Sequence, residues 1–199
     1  DMLIPEGEIS RLSDADRQFV KANKLYADAQ YGGAVEAYKE AVRLNASQWA
    51  YHFNLGLAQK KLGQVPEAQA AFAKARELNP SSYAANKELA ESLARAGQME
   101  EAGTYFLKAA EISPDDPDAL YNLGVIQAAT GDGAAAAVSF EKCLGLNPDY
   151  VEAYYQLGTV EIGLNKIQEA VNHLEKFLEL APGHDKAPIA RQLVEALKK

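Results

Sequence analysis

Along residues 122–148, NLGVIQAATGDGAAAAVSFEKCLGLNP, apolar positions recur every three to four residues, the spacing of one helical face. Four glycines interrupt the stretch: Gly124, Gly131, Gly133 and Gly145. Glycine inside a helix costs about 1 kcal/mol relative to alanine, so one continuous helix is disfavoured. The pattern reads instead as two helices broken at Gly131. Gly124 then sits inside the first helix, where a close crossing would call for it, and Gly133 opens the second. Gly145 falls inside the second helix on its outer face, with no packing reason for a missing side chain.

The same pattern returns at an offset of 34 residues. FNLGLAQKKLGQVPEAQAAFAKARELNP (53–80) aligns with YNLGVIQAATGDGAAAAVSFEKCLGLNP (121–148) and with YQLGTVEIGLNKIQEAVNHLEKFLELAP (155–182). KELAESLARAGQMEEAGTYFLKAAEISP (87–114) lies between them, and FVKANKLYADAQYGGAVEAYKEAVRLNA (19–46) is a weaker first copy. Five units follow without insertion: 15–48, 49–82, 83–116, 117–150 and 151–184. Ala34, Ala68, Ala102, Ala136 and Ala170 share one place in all five. Each unit reads as helix A, a turn and helix B. Gly56, Gly124 and Gly158, with Ala22 and Ala90, suit a close crossing of A on B. Gly63, Gly97 and Gly131 suit a left-handed residue that ends helix A, and Asn165 tolerates the same conformation. Pro80, Pro114, Pro148 and Pro182 fall after helix B, which proline cannot continue.

These repeats resemble the tetratricopeptide repeat family. The Leu-Gly pairs at 55–56, 123–124 and 157–158, the shared alanine, the aromatics Tyr38, Phe72, Phe106 and Phe140, and the closing prolines all match its pattern. The resemblance implies an all-α fold, a right-handed α-solenoid or superhelix of helix–turn–helix units whose A helices line a concave groove. The end units depart from the pattern, as solenoid ends do: Lys21 stands where leucine is usual and Ala46 where proline is usual. Phe177 replaces the small residue found at Ala41, Ala75, Ala109 and Cys143, which suggests a non-standard neighbour. Residues 185–199 supply one, a capping helix with an expected inward stripe of Ile189, Leu193, Val194 and Leu197. Residues 1–14 read as an extended lead-in, with Ser13 or Asp14 capping the first helix. The opening Asp1 suggests a piece excised from a longer chain.

Composition narrows the function classes. A net charge of −8 argues against nucleic acid as the partner, because phosphate binding needs a basic surface. No apolar run is long enough to span a bilayer, and the first residues lack the form of a signal peptide. That reading leaves a soluble fragment of unassigned compartment, cytoplasmic or periplasmic. His52, His173 and His184 lack metal-ligand spacing, the lone Cys143 sits at a packing position, and no phosphate loop or nucleophile–base pair is present. No catalytic site, metal or cofactor is therefore expected.

What the resemblance offers is a groove surface. The inner stripe of the A helices carries Phe19, Phe53, Lys87, Tyr121 and Tyr155 at the fifth place of each unit. Val20, Asn54, Glu88, Asn122 and Gln156 follow at the sixth, and Asn23, Leu57, Glu91, Val125 and Thr159 at the ninth. Rings supply apolar contact and amides can pair with a peptide backbone, so the stripe suits an extended peptide or a partner protein. Family-wide contacts between neighbouring helices would equally account for these residue types. The family's clamp for C-terminal carboxylates is not present. Asn23 and Asn54 match it, but Phe19, Ala84 and Glu88 replace its bases. Two units on, Lys87 and Asn122 match but Glu91, Glu152 and Gln156 do not.

Charge is unevenly spread. The first two units hold nine bases and six acids, net +3; the last three hold six bases and sixteen acids, net −10. Lys60, Lys61, Lys87 and Arg95 are expected to face the groove and to orient an acidic ligand segment. The leading expectation is a non-catalytic interaction scaffold. The competing one is self-assembly into a homo-oligomer through the solenoid ends or the N-terminal arm.

Overall fold

The computed structural model describes residues 12–199; the sequence-predicted lead-in lies almost wholly outside them. Eleven α-helices and no strand are found among the described residues. They are α1 (Asp14–Ala27), α2 (Tyr31–Leu44), α3 (Trp49–Lys61), α4 (Val65–Leu78), α5 (Tyr83–Arg95), α6 (Met99–Ile112), α7 (Pro117–Ala129), α8 (Gly133–Leu146), α9 (Val151–Gly163), α10 (Ile167–Leu180) and α11 (Ala187–Leu197). The chain forms two compact units, the first ending at Leu93 and the second spanning Ala94–Lys199.

In the first unit α1 packs on α2, α2 on α3, and α3 on α4. Ser13 caps α1, its Oγ accepting from the Asp16 amide at 3.1 Å. Ala22, Ala34 and Ala41 are fully buried where these helices cross, and the buried Tyr38 and Phe72 pack against the A helix of their own pair. Gly56 shows why the crossing needs a bare backbone: a Cβ there would lie 2.6 Å from the Phe72 ring, closer than real Cβ atoms come to another heavy atom.

The second unit repeats the device. Here α6 packs on α7, α7 on α8, α8 on α9, α9 on α10, and α10 on α11. A Cβ at Gly124 would lie 2.7 Å from Phe140, and one at Gly158 would lie 2.7 Å from Leu174. Asp116 and Asp132 cap α7 and α8 through the amides of Asp118 and Ala135. Gly145 is exposed with nothing near its missing side chain, and nothing in the structure explains it.

Gly63, Gly97 and Gly131 adopt φ of 73°, 80° and 88°, and Asn165 adopts 59°. The equivalent residue of the first repeat is Ala29, left-handed at 57° with no glycine or asparagine to favour it. A second recurring feature carries no motif. The carbonyl just after helix B is held by a side chain of the next helix: His52 Nε2 on Ala46 at 2.9 Å, Asn86 Nδ2 on Pro80 at 3.0 Å, and the Tyr154 hydroxyl on Pro148 at 3.0 Å. Arg191 does the same for Pro182 at 2.8 Å. These bonds satisfy carbonyls of the turn that joins helix B to the next helix.

The capping helix is present, but its inward face differs from the expected stripe. Phe177 is fully buried with Val171 and Leu174 against Ala187, Ala190 and Val194 of α11, with Leu193 and Leu197 partly buried beside them. Ile189 is 51% exposed. The helix begins only at Ala187, so its small residues 187 and 190 turn towards the bulky Phe177, and Ile189 turns away.

Candidate binding face

In the first unit, the residues expected on the inner stripe lie on α1, α3 and α5. Phe19, Phe53, Asn54, Leu57, Lys60 and Lys87 are half-buried, while Asn23 and Lys61 are exposed. Much of this stripe is already engaged. The Phe19 ring lies 5.7 Å from Tyr38 and 4.9 Å from Tyr51, and Phe53 lies 5.8 Å from Phe72 and 6.0 Å from Trp49. These separations are those of tilted aromatic pairs that bind layers together. Asn23 accepts from the Tyr38 hydroxyl at 2.7 Å, and Asn54 donates to the Ala50 carbonyl at 2.8 Å.

Lys60 carries the largest departure from the charge-based expectation. Its ammonium sits 2.6 Å from Glu88 and 3.1 Å from Glu91, with all three side chains no more than 30% exposed. Burial works against the charged amine, but hydrogen bonds to the two carboxylates outweigh it and raise its pKa. Lys60 therefore spends its charge inside the first unit. The Lys87 amine lies 5.7 Å over the Tyr83 ring.

In the second unit Arg95 is exposed, and α7 and α9 present Tyr121, Asn122, Val125, Tyr155 and Gln156, all half-buried. Tyr121 packs 5.8 Å from Phe140 and stacks 4.9 Å from Tyr150. Burial raises the Tyr121 pKa, against a hydrogen bond with Gln156 that lowers it. Tyr155 lies 5.3 Å from Phe177, with the Lys186 amine 4.6 Å over its ring. Neither α7 nor α9 contains a lysine or arginine.

Between the turn-side ends of α7 and α9 lies an open cleft of about 370 Å³. Ala128, Gly131, Gln156, Thr159, Gly163 and Leu164 are among its lining residues, every one uncharged. Ala128, Gly131 and Gly163 were not among the sequence candidates. Their signal is an absence of side chain, which only the repeat register exposes: two repeats before Ala128, Gln156 and Thr159 stand Lys60, Glu88 and Glu91.

Behind the inner face, two polar pairs join helices A and B. Gln127 accepts from Ser139 Oγ at 2.6 Å. Glu161, almost wholly buried, is 2.7 Å from His173 Nδ1, and burial raises its pKa in spite of that partner. Cys143 is fully buried, and burial pushes its thiol up to about 12, which removes the thiolate a nucleophile needs near neutral pH.

Comparison with known proteins follows the repeats. Family models described as tetratricopeptide repeat match residues 56–117, 105–136 and 127–197, and one described as TPR repeat matches 22–63. No curated protein matches the sequence. Among solved structures, YrrB, described as a TPR protein with an unusual peptide-binding site, superposes with a TM-score of 0.84 at 23% identity, over 90% of this chain and 92% of its own. A MamA protein gives 0.79 at 22% identity over 87% and 94%. MamA from Desulfovibrio magneticus RS-1 gives 0.78 at 21% identity over 87% and 98%. At these identities the likeness is one of fold, the α-solenoid class. No described helix is long and apolar enough to cross a membrane.

Proposed function

The chain belongs to the tetratricopeptide repeat family, and from that premise we propose that it is a protein-interaction scaffold that binds an extended peptide segment on the A-helix face of its second unit. The observation that carries this reading is the open cleft between α7 and α9, lined by the Gln156 amide with small and aliphatic residues, on helices that also carry the half-buried Tyr121, Asn122 and Tyr155. Asn122 and Gln156 suit a peptide backbone, whose donors and acceptors do not depend on sequence. Val125 and the exposed edges of Tyr121 and Tyr155 supply apolar area. YrrB, with its described peptide-binding site, supports the reading through likeness of fold. The pairing of Lys60 with Glu88 and Glu91 removes that lysine from the bases available to an acidic ligand, and α7 and α9 carry none of their own.

The test is selection of a displayed random peptide library on the purified chain, followed by titration of an enriched peptide. Asn122→Ala and Tyr121→Ala should each weaken binding by about 1–3 kcal/mol, the range of an interface anchor. Glu141→Lys, on the exposed outer side of α8, should leave it unchanged. Light scattering across concentration tests the competing reading: mass that rises with concentration, together with failure to enrich any peptide, would favour self-assembly.

A further inference from the structure

The two units treat the same place in the repeat in opposite ways. In the first, the four-carbon side chain of Lys60 runs from α3 to Glu88 and Glu91 on α5, so the chain fills that place itself. In the second, Ala128 replaces the lysine, Gln156 and Thr159 replace the two carboxylates, and a cleft of about 370 Å³ is left open. We propose that this cleft is a side-chain pocket for one uncharged aliphatic residue of a bound peptide, a leucine, isoleucine or methionine. The proposal rests on the peptide-binding reading of the same face and names the residue that face selects.

The first unit acts as an internal reference for size. A linear aliphatic side chain fits there, and its charge is tolerated only because two carboxylates meet it. The second-unit cleft has the room without the carboxylates. A charged guest would find no opposite charge among the lining residues and would give up part of its hydration on entering, whereas an uncharged aliphatic side chain gives up none. Asp132, between the lining Gly131 and Gly133, spends its carboxylate on the Ala135 amide at 3.0 Å. The Thr159 hydroxyl donates to the Gln156 carbonyl at 2.8 Å, so its donor is already satisfied within α9. Val160 and Leu164 complete the apolar wall.

Panning a random displayed peptide library on the full chain, then titrating a labelled enriched peptide, tests this directly. One position of the enriched peptides should be restricted to aliphatic residues. Its replacement by lysine or glutamate should weaken binding about tenfold or more, as should filling the cleft by Ala128→Met. Combining Ala128→Lys, Gln156→Glu and Thr159→Glu rebuilds the first-unit arrangement and should have the same effect, which guards against a folding defect in either variant. Glu141→Lys should change affinity by less than about twofold. Enriched peptides weakened by Asn122→Ala but indifferent to both cleft-filling variants would overturn the pocket and leave the face reading intact. A conserved acidic or basic anchor would also overturn it. Enrichment of no peptide at all would overturn the pocket and the face reading together.

Discussion

Alanine at Gly124, in the middle of α7, and alanine at Gly145, in the last turn of α8, are the same substitution in neighbouring helices, yet they should have opposite effects. At either site the added methyl relieves glycine's backbone entropy cost, about 1 kcal/mol in a helix. At Gly145 nothing lies within 4 Å of the new Cβ, so Gly145→Ala should stabilise the protein by about 0.5–1 kcal/mol. At Gly124 the new Cβ would lie 2.7, 2.9 and 3.0 Å from three carbons of the Phe140 ring. That ring is fully buried and packed against Tyr121, so it cannot swing into solvent. Relieving the overlap forces ring and helix apart, an overpacking cost of about 1–3 kcal/mol that exceeds the helix gain. Gly124→Ala should therefore lose up to about 2 kcal/mol net. Urea unfolding with an unchanged m-value reads the difference, and thermal melts should separate by about 2–4 °C per kcal/mol. A Gly124→Ala protein as stable as Gly145→Ala would refute the close-crossing account of the repeat.

Three further perturbations probe other parts of the account. Lys60→Met keeps the aliphatic stem but leaves Glu88 and Glu91 facing each other, and should cost about 1 kcal/mol after allowance for partial exposure; urea unfolding should show that loss shrinking as salt is raised. Glu161→Gln keeps an acceptor for His173 and removes a buried acid whose pKa is raised in the folded state. The folded protein holds that proton more tightly than the unfolded chain, so stability falls as pH rises from the ordinary glutamate value through the raised one; the variant should lack that fall in a pH series of melts and be the more stable protein at neutral pH. Deleting residues 185–199 uncovers Phe177, Leu174 and Val171 and should give aggregation and a lower Tm. A truncated chain that stays monodisperse with the parent's Tm would contradict the capping role of α11.

Much of the local architecture could be read from the repeat itself. Breaks at Gly63, Gly97, Gly131 and Asn165 follow from backbone preference, and the glycines at 56, 124 and 158 follow from register. Ala29 was not legible, because alanine has no preference for the left-handed region it adopts and only the surrounding packing holds it there. Ile189 was misplaced for a related reason: Phe177 demands small residues opposite, and a stripe drawn from hydrophobicity alone favours the large ones. The binding face was half legible. Its residue types follow from the helical period, but whether a charge is available does not. Lys60 reads as free in sequence because its partners lie 28 and 31 residues away. The open cleft is not legible in the sequence because it is made of what Ala128, Gly131 and Gly163 lack.

The most direct test of the account is amide chemical-shift mapping of the labelled chain titrated with an enriched peptide. Binding on the A-helix face predicts perturbations that concentrate at Asn122, Val125 and Ala128 on α7 and at Gln156, Thr159 and Gly163 on α9. The outer positions Val138, Glu141 and Gly145 of α8 should stay unmoved. Perturbations that gather on those outer positions, or around Ile189 on α11, while α7 and α9 stay silent would contradict it.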